Sequence, residues 1–128
     1  MNGKKVLIVD DEETIRDALG EAFSNANFEV VSAENGEDAL DVLKNQRIMI
    51  MFLDLQLPGM SGIELCKQIR RDNPVAIIFA MTAHFDLFNI IEWRAAGFDD
   101  FFSKPFLIKD LLEAAQEAFN KIDRWMFI

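Results

Sequence analysis

Residues 48 to 62 read Ile48-Met49-Ile50-Met51-Phe52-Leu53-Asp54-Leu55-Gln56-Leu57-Pro58-Gly59-Met60-Ser61-Gly62. Ile48 to Leu53 is an apolar run without polar alternation, which calls for a strand covered on both faces, as in a parallel sheet flanked by helices. It stops at Asp54, where such a strand emerges from the sheet. Pro58-Gly59 suits the middle of a tight turn, Pro fixing φ and Gly accepting a positive φ. A helix follows over Gly62 to Arg71, stopped by Asn73-Pro74.

The same alternation extends outward in both directions. Val6 to Val9 is a short apolar strand ending at Asp10, and Ile15, Ala18, Leu19, Ala22, Phe23 and Ala26 recur at helical spacing. Glu29 to Ala33 is strand-like, and Asp38 to Lys44 is helix-like through Ala39, Leu40 and Leu43. Downstream come a strand over Val75 to Met81, a helix over Leu87 to Ala96, a strand over Phe98 to Ser103 and a helix from Leu107 to about Trp125. Five such strand–helix units predict an α/β fold with a parallel five-stranded sheet, right-handed crossovers and helices on both faces.

The bulk properties bound the function. The 128 residues suit one domain, residues 1–128, and 51% apolar with 27% charged residues is a globular composition. A formal net charge of −9 repels phosphate backbones and anionic membrane surfaces, so neither direct nucleic-acid binding nor membrane binding is expected. The longest apolar runs fall well short of the ~18 residues of a membrane span. No secretory signal follows Lys4 and Lys5, so a cytoplasmic location is expected. The single cysteine, Cys66, has no partner for an internal disulfide and sits in a helical stretch, where it reads as a small core or half-buried thiol rather than a nucleophile.

Ligands of open parallel sheets bind outside the carboxyl ends of the strands. Here those ends carry Asp10-Asp11, Asp54, Thr82 and Ser103-Lys104. Taken singly, each has an ordinary explanation: an Asp after a strand caps a helix or shapes a turn, and a Lys is solvated. Asp10 to Glu13 also place favourable negative charge at the start of the first helix. Together they gather three acids, a hydroxyl and an ammonium at one edge. Crowded carboxylates repel unless a cation intervenes. Oxygen donors without clustered His or Cys point to Mg²⁺ rather than zinc. A carboxylate so screened can act as a nucleophile toward phosphorus, with Lys104 and Thr82 holding the phosphoryl oxygens.

The stretches VLIVDDEE, FLDLQLPGMSG, MTAH and FFSKPF resemble those of response-regulator receiver domains, over essentially the whole chain. The resemblance implies a flavodoxin-like (βα)5 fold, a three-layer sandwich with strand order 2-1-3-4-5. It implies a two-component switch that takes a phosphoryl group from a histidine kinase phosphohistidine. Asp54 resembles the phosphoacceptor, Asp11 a direct Mg²⁺ ligand, Asp10 an acid orienting the metal, and Gln56 the donor of a backbone carbonyl to it. Thr82 resembles the switch hydroxyl, Lys104 the cation pairing with Asp54 or its phosphate, and Phe101 the aromatic switch position, here without a tyrosine hydroxyl. Gln56 and His84 match positions that tune phosphoryl lifetime. Lys104-Pro105 resembles the family's cis peptide, the alternative being Pro105 in the first turn of the last helix.

The segment from His84 to Trp93 and the last helix carry more large apolar residues than one buried face needs, and the chain closes on Trp125-Met126-Phe127-Ile128. Either these are a wide core stripe with scattered exposed residues, or they are a contact surface. The resemblance implies that the face of helices 4 and 5 contacts a downstream effector, a histidine kinase or phosphotransfer protein, or a homodimer mate after phosphorylation. Three rivals share parts of the pattern. A haloacid-dehalogenase-type phosphatase wants a second Asp where Gln56 stands. A flavodoxin-type flavin binder wants a Ser/Thr/Gly-rich loop where four acids stand. A degenerate receiver scaffold would lack one of the five site residues.

Overall fold

In the computed structural model, which describes residues 4–126, strands and helices alternate as β1 (Lys4–Val9), α1 (Glu13–Asn25), β2 (Phe28–Ala33), α2 (Gly36–Asn45), β3 (Ile50–Asp54), α3 (Gly62–Asp72), β4 (Ile77–Thr82), α4 (Ile90–Ala96), β5 (Asp100–Ser103) and α5 (Ile108–Met126). The five strands are parallel and ordered β2-β1-β3-β4-β5, which is the flavodoxin-like arrangement. Phe127 and Ile128, part of the apolar chain end, lie outside the described residues.

The period-2 geometry of strands sorts the side chains into two cores. From β1, Leu7 and Val9 join Met51, Leu53, Ile78 and Ala80 beneath α2, α3 and α4, which contribute Ala39, Leu65, Cys66, Ile69, Trp93 and Ala96. Val6 and Ile8 join Ile50, Phe52, Phe79 and Met81 against Leu19 and Phe23 of α1 and Leu111, Ala115 and Ala118 of α5. This second core holds a run of rings, Phe28–Phe23–Phe52–Phe79–Phe102, with neighbouring centroids 4.7 to 5.8 Å apart. Each large side chain fully buried here contributes about 1.5–3 kcal/mol.

Local signals set the helix ends. Asn35 accepts from the Asp38 N–H at 2.8 Å to cap α2, and Ser61 accepts from the Glu64 N–H at 3.2 Å to cap α3. Gly59 has φ 73°, as the Pro-Gly turn requires. Gly97 ends α4 at φ 116°, its N–H reaching the Arg94 carbonyl.

At the amino edge of the sheet, Arg70 clamps three segments. Its guanidinium donates to the carbonyls of Pro74 (3.0 Å) and Ala76 (2.6 Å), to the Gly97 carbonyl, and to Asp99 Oδ2 at 3.1 Å. Asp99 Oδ2 in turn accepts from the Ile78 N–H at 2.8 Å. The end of α3 is thereby tied to the starts of β4 and β5 and to the end of α4.

The structure differs from the sequence reading at element ends. The predicted helix over Leu87 to Ala96 divides: Leu87–Asn89 is one 3₁₀ turn with no buried side chain, and α4 begins at Ile90. Asp86 starts the segment, its carboxylate accepting from the Phe88 N–H at 2.9 Å, and the turn closes by i to i+3 bonds from the Asn89 N–H to the Asp86 carbonyl and from the Ile90 N–H to the Leu87 carbonyl. Ile48 and Phe98 are buried but precede their strands, whereas Val75 is exposed. Among the described residues no helix is long and apolar enough to cross a membrane.

Candidate functional site

Strand register delivers the polar residues to one place. Val9 lies opposite Leu53, so the next residues, Asp10 and Asp54, emerge side by side. Thr82 lies opposite Ser103, so Lys104 leaves β5 beside the end of β4, its N–H bonded to the Thr82 carbonyl at 2.7 Å. Asp10, Asp54 and Thr82 are the buried polar side chains among the described residues.

All three use the same local device. Asp10 Oδ1 accepts from the Glu12 N–H at 2.9 Å, Asp54 Oδ1 from the Gln56 N–H at 3.0 Å, and Thr82 Oγ1 from the His84 N–H at 3.0 Å. Short polar side chains at strand ends favour this i to i+2 turn. The Asp of the sequence reading is therefore both a turn residue and a site residue. One oxygen of each carboxylate serves the backbone and the other faces the centre.

At that centre is Lys104. Its Nζ lies 2.8 Å from Asp10 Oδ2, 3.2 Å from Asp54 Oδ2 and 3.7 Å from Glu12 Oε1. Burial pushes the Asp54 carboxyl above the usual carboxylate value, against the opposing pull of the Gln56 N–H and the Lys104 ammonium. For Lys104, burial works to lower the ammonium's pKa, but the bonds and charges of Asp10 and Asp54 outweigh it and the net direction is upward. A group with a raised pKa beside one that burial discourages from ionising is a pattern of functional sites.

Among the described residues, the acids whose ligand oxygens lie within 4.8 Å of one another are Asp10, Asp11 and Glu12. Asp54 joins this cluster through Lys104. The donor set is all oxygen, with one fully buried carboxylate, and it suits a hard divalent cation such as Mg²⁺. Glu12 is the member that sequence reasoning assigned only to helix charge; its place directly after Asp11 was the available signal. The Arg70 clamp went unread because three of its four partners are backbone carbonyls, which carry no side-chain signal.

The remaining candidates surround this centre. Gln56 and His84 are exposed and follow Asp54 and Thr82 by two residues, their N–H groups closing the turns. Phe101 is half-buried on β5 and packs on Trp93 at 5.4 Å between ring centroids. The Lys104-Pro105 peptide bond is cis, and Pro105 precedes α5 rather than entering its first turn.

A family model for the response regulator receiver domain matches residues 6–116. The chain is a response regulator receiver domain. Sporulation initiation phosphotransferase F of Bacillus subtilis is 35% identical over 117 residues, covering 91% of this chain and 94% of that protein. A cyclic di-GMP phosphodiesterase of Thermotoga maritima is 40% identical over 100 residues, 78% of this chain but 27% of that protein. The crystal structure of a CheY-like receiver domain protein from Methanospirillum hungatei superposes with a TM-score of 0.91 at 28% identity, covering 96% of this chain and 98% of that one. The chain spans only 27 to 51% of the length of several curated relatives it matches.

In a receiver domain, an acidic cluster beside a buried Asp–Lys pair is the phospho-aspartate and Mg²⁺ site of a phosphorylation switch, and this chain has that arrangement. Such a domain is a phosphoacceptor rather than a conventional enzyme. It works with a histidine kinase or phosphotransfer system on one side and a downstream effector on the other.

Proposed function

We propose that Asp54 accepts a phosphoryl group from the phosphohistidine of a kinase or phosphotransfer protein. The carrying observation is geometric: Asp54 Oδ1 is fixed by the Gln56 N–H, while Oδ2 faces the Lys104 ammonium at 3.2 Å. In the reaction, Asp54 Oδ2 forms a bond to phosphorus, the P–N bond breaks, and the imidazole leaves with its electron pair. Asp10, Asp11 and the Gln56 carbonyl are the residues to hold Mg²⁺, with Asp54 completing the set. When bound, Mg²⁺ offsets the charge of the carboxylates and the transferring group. Lys104 turns from Asp54 to a phosphoryl oxygen, and the Thr82 hydroxyl approaches another. Gln56 and His84, exposed on either side, govern water access and so the lifetime of the acyl phosphate. Residues 1–128 act as one receiver unit.

The test is intact mass after incubation with Mg²⁺ and a small acyl phosphate, comparing wild type with Asp54→Asn. One phosphoryl adduct on the wild type and none on the variant is expected; an adduct retained by Asp54→Asn sinks the assignment.

A second reading concerns the output. Phe88, Ile91 and Leu87 are 90%, 81% and 74% exposed around the start of α4, and Leu107 before α5 is 62% exposed. These favour a contact surface over a wide core stripe. Phosphorylation shifts the Thr82 and Phe101 pair, changes this α4–β5–α5 face and promotes a homodimer through α4 and α5. Sedimentation with and without a phosphoryl mimic checks this, and equal dimerisation in both conditions removes it.

A further inference from the structure

The loop after β4 and the aromatic position on β5 have no hydrogen bond between them that a tyrosine hydroxyl would give; what joins them is a third side chain. Trp93, 4% exposed on α4, has the Phe85 ring on one edge at 5.9 Å and 63°, and the Phe101 ring at 5.4 Å and 45°. Phe101 continues to Phe98 at 6.3 Å. Phe85 lies three residues past Thr82 in a loop whose first hydrogen bond runs from the His84 N–H to Thr82 Oγ1 at 3.0 Å.

We propose that Trp93 is the positioning residue that couples Thr82 to Phe101, with Phe85 as its input contact. This rests on the reading that the Thr82 hydroxyl moves toward a phosphoryl group on Asp54. That movement withdraws the acceptor of the His84 N–H, because the hydroxyl is the atom holding the turn. Released from it, the loop shifts Phe85, and Trp93 loses or changes its edge contact. The backbone of Trp93 cannot follow by sliding. Its carbonyl accepts from the Phe98 N–H at 3.3 Å, and Arg70 holds Gly97 through its carbonyl. Rearrangement therefore falls on the indole, and the indole packs on Phe101. Close packing makes such contacts switch between discrete arrangements instead of deforming smoothly. Phe85 is 44% exposed, so the contact is made at the surface end of the chain of rings, where a loop can alter it without opening the core.

Trp125 and Trp93 are the two tryptophans, so Trp125→Phe leaves Trp93 as sole reporter. Beryllofluoride with Mg²⁺ serves as the phosphoryl mimic, its binding measured by calorimetry and Trp93 by fluorescence. In the Trp125→Phe background, saturation is expected to change Trp93 emission. Adding Phe85→Ala is expected to leave saturable binding but to remove most of the emission change. Phe85→Tyr, which keeps the ring, restores it. A blue-shifted Trp93 emission in the mimic-free Phe85→Ala protein reports that the core is intact. A full emission change in Phe85→Ala, failure of Phe85→Tyr to restore it, or saturable binding without any change in the parent overturns the coupling. A parent that does not bind the mimic instead overturns the site reading on which the coupling rests.

Discussion

Asp54 is held between opposing demands. Burial disfavours its charge, and the Gln56 N–H and Lys104 restore only part of what water would supply, so its folded pKa stands above the ordinary 3.8. The sign follows from linkage: a carboxyl with a raised folded pKa contributes stability below its unfolded pKa, and that contribution is lost as pH rises through the folded value. At neutral pH the ionised Asp54 is a net cost. Asp54→Asn in chelator is thus expected to raise unfolding free energy at pH 7 by roughly 1 kcal/mol, the scale of an ordinary point substitution. The gain shrinks as pH falls toward 3.8, and urea titrations across that range measure it. An equal gain at all pH values would show that charge is not the cause. Asp10, Asp54 and Thr82 were legible in the sequence because each directly follows an apolar run whose end can be counted, and Lys104 because it stands one residue, Ser103, past the end of another. Which oxygen serves the backbone and which faces Lys104 was not legible, since that depends on turns closed two residues later. Cys66 fits its core reading: burial pushes its thiol up to about 12, so it stays protonated and unreactive.

Strands and helices bring the residues together only if backbones approach closely, and Gly62 marks the tightest approach. A Cβ there would sit 2.1 Å from the Asp54 carbonyl oxygen and 2.7 Å from Leu55 Cα. No side-chain adjustment relieves contacts with backbone. Gly62→Ala is therefore expected to cost about 3 kcal/mol or more, beyond the usual small-to-large penalty, and to weaken Mg²⁺ binding by displacing Asp54. Denaturant midpoints and calorimetry measure the two effects; a fully stable variant with normal Mg²⁺ affinity would contradict the geometry. The run Ile48 to Leu53 correctly announced a doubly covered strand. Its ends moved because apolarity reports burial and pairing needs register: Ile48 is buried without pairing, and Asp54 pairs opposite Met81. The division of the fourth helix escaped the apolar pattern, since a change of backbone bonding from i,i+3 to i,i+4 leaves the apolar spacing almost unaltered.

For the molecule as a whole, a cation that binds the folded acid cluster and not the unfolded chain must stabilise it. At a free concentration ten times its dissociation constant, Mg²⁺ is expected to add about 1.4 kcal/mol. Asp11→Ala should lose most of that increment; thermal scans at several Mg²⁺ concentrations read it, and an undiminished shift in Asp11→Ala would exclude Asp11 as a ligand. The parallel sheet with helices on both faces was readable from five repeating units, whereas the strand order came only from the resemblance to receiver domains. The two cores also differ in kind. On the face covered by α1 and α5, Phe23 of α1 and one phenylalanine from each of β2, β3, β4 and β5 interlock, whereas the Phe85–Trp93–Phe101 chain lies on the far side of the sheet. On the proposed switch, a protein that rests on α1 beyond its first turn is expected to meet a surface that changes less than the opposite one, and telling the two conditions apart falls to whatever touches the side where α4 lies.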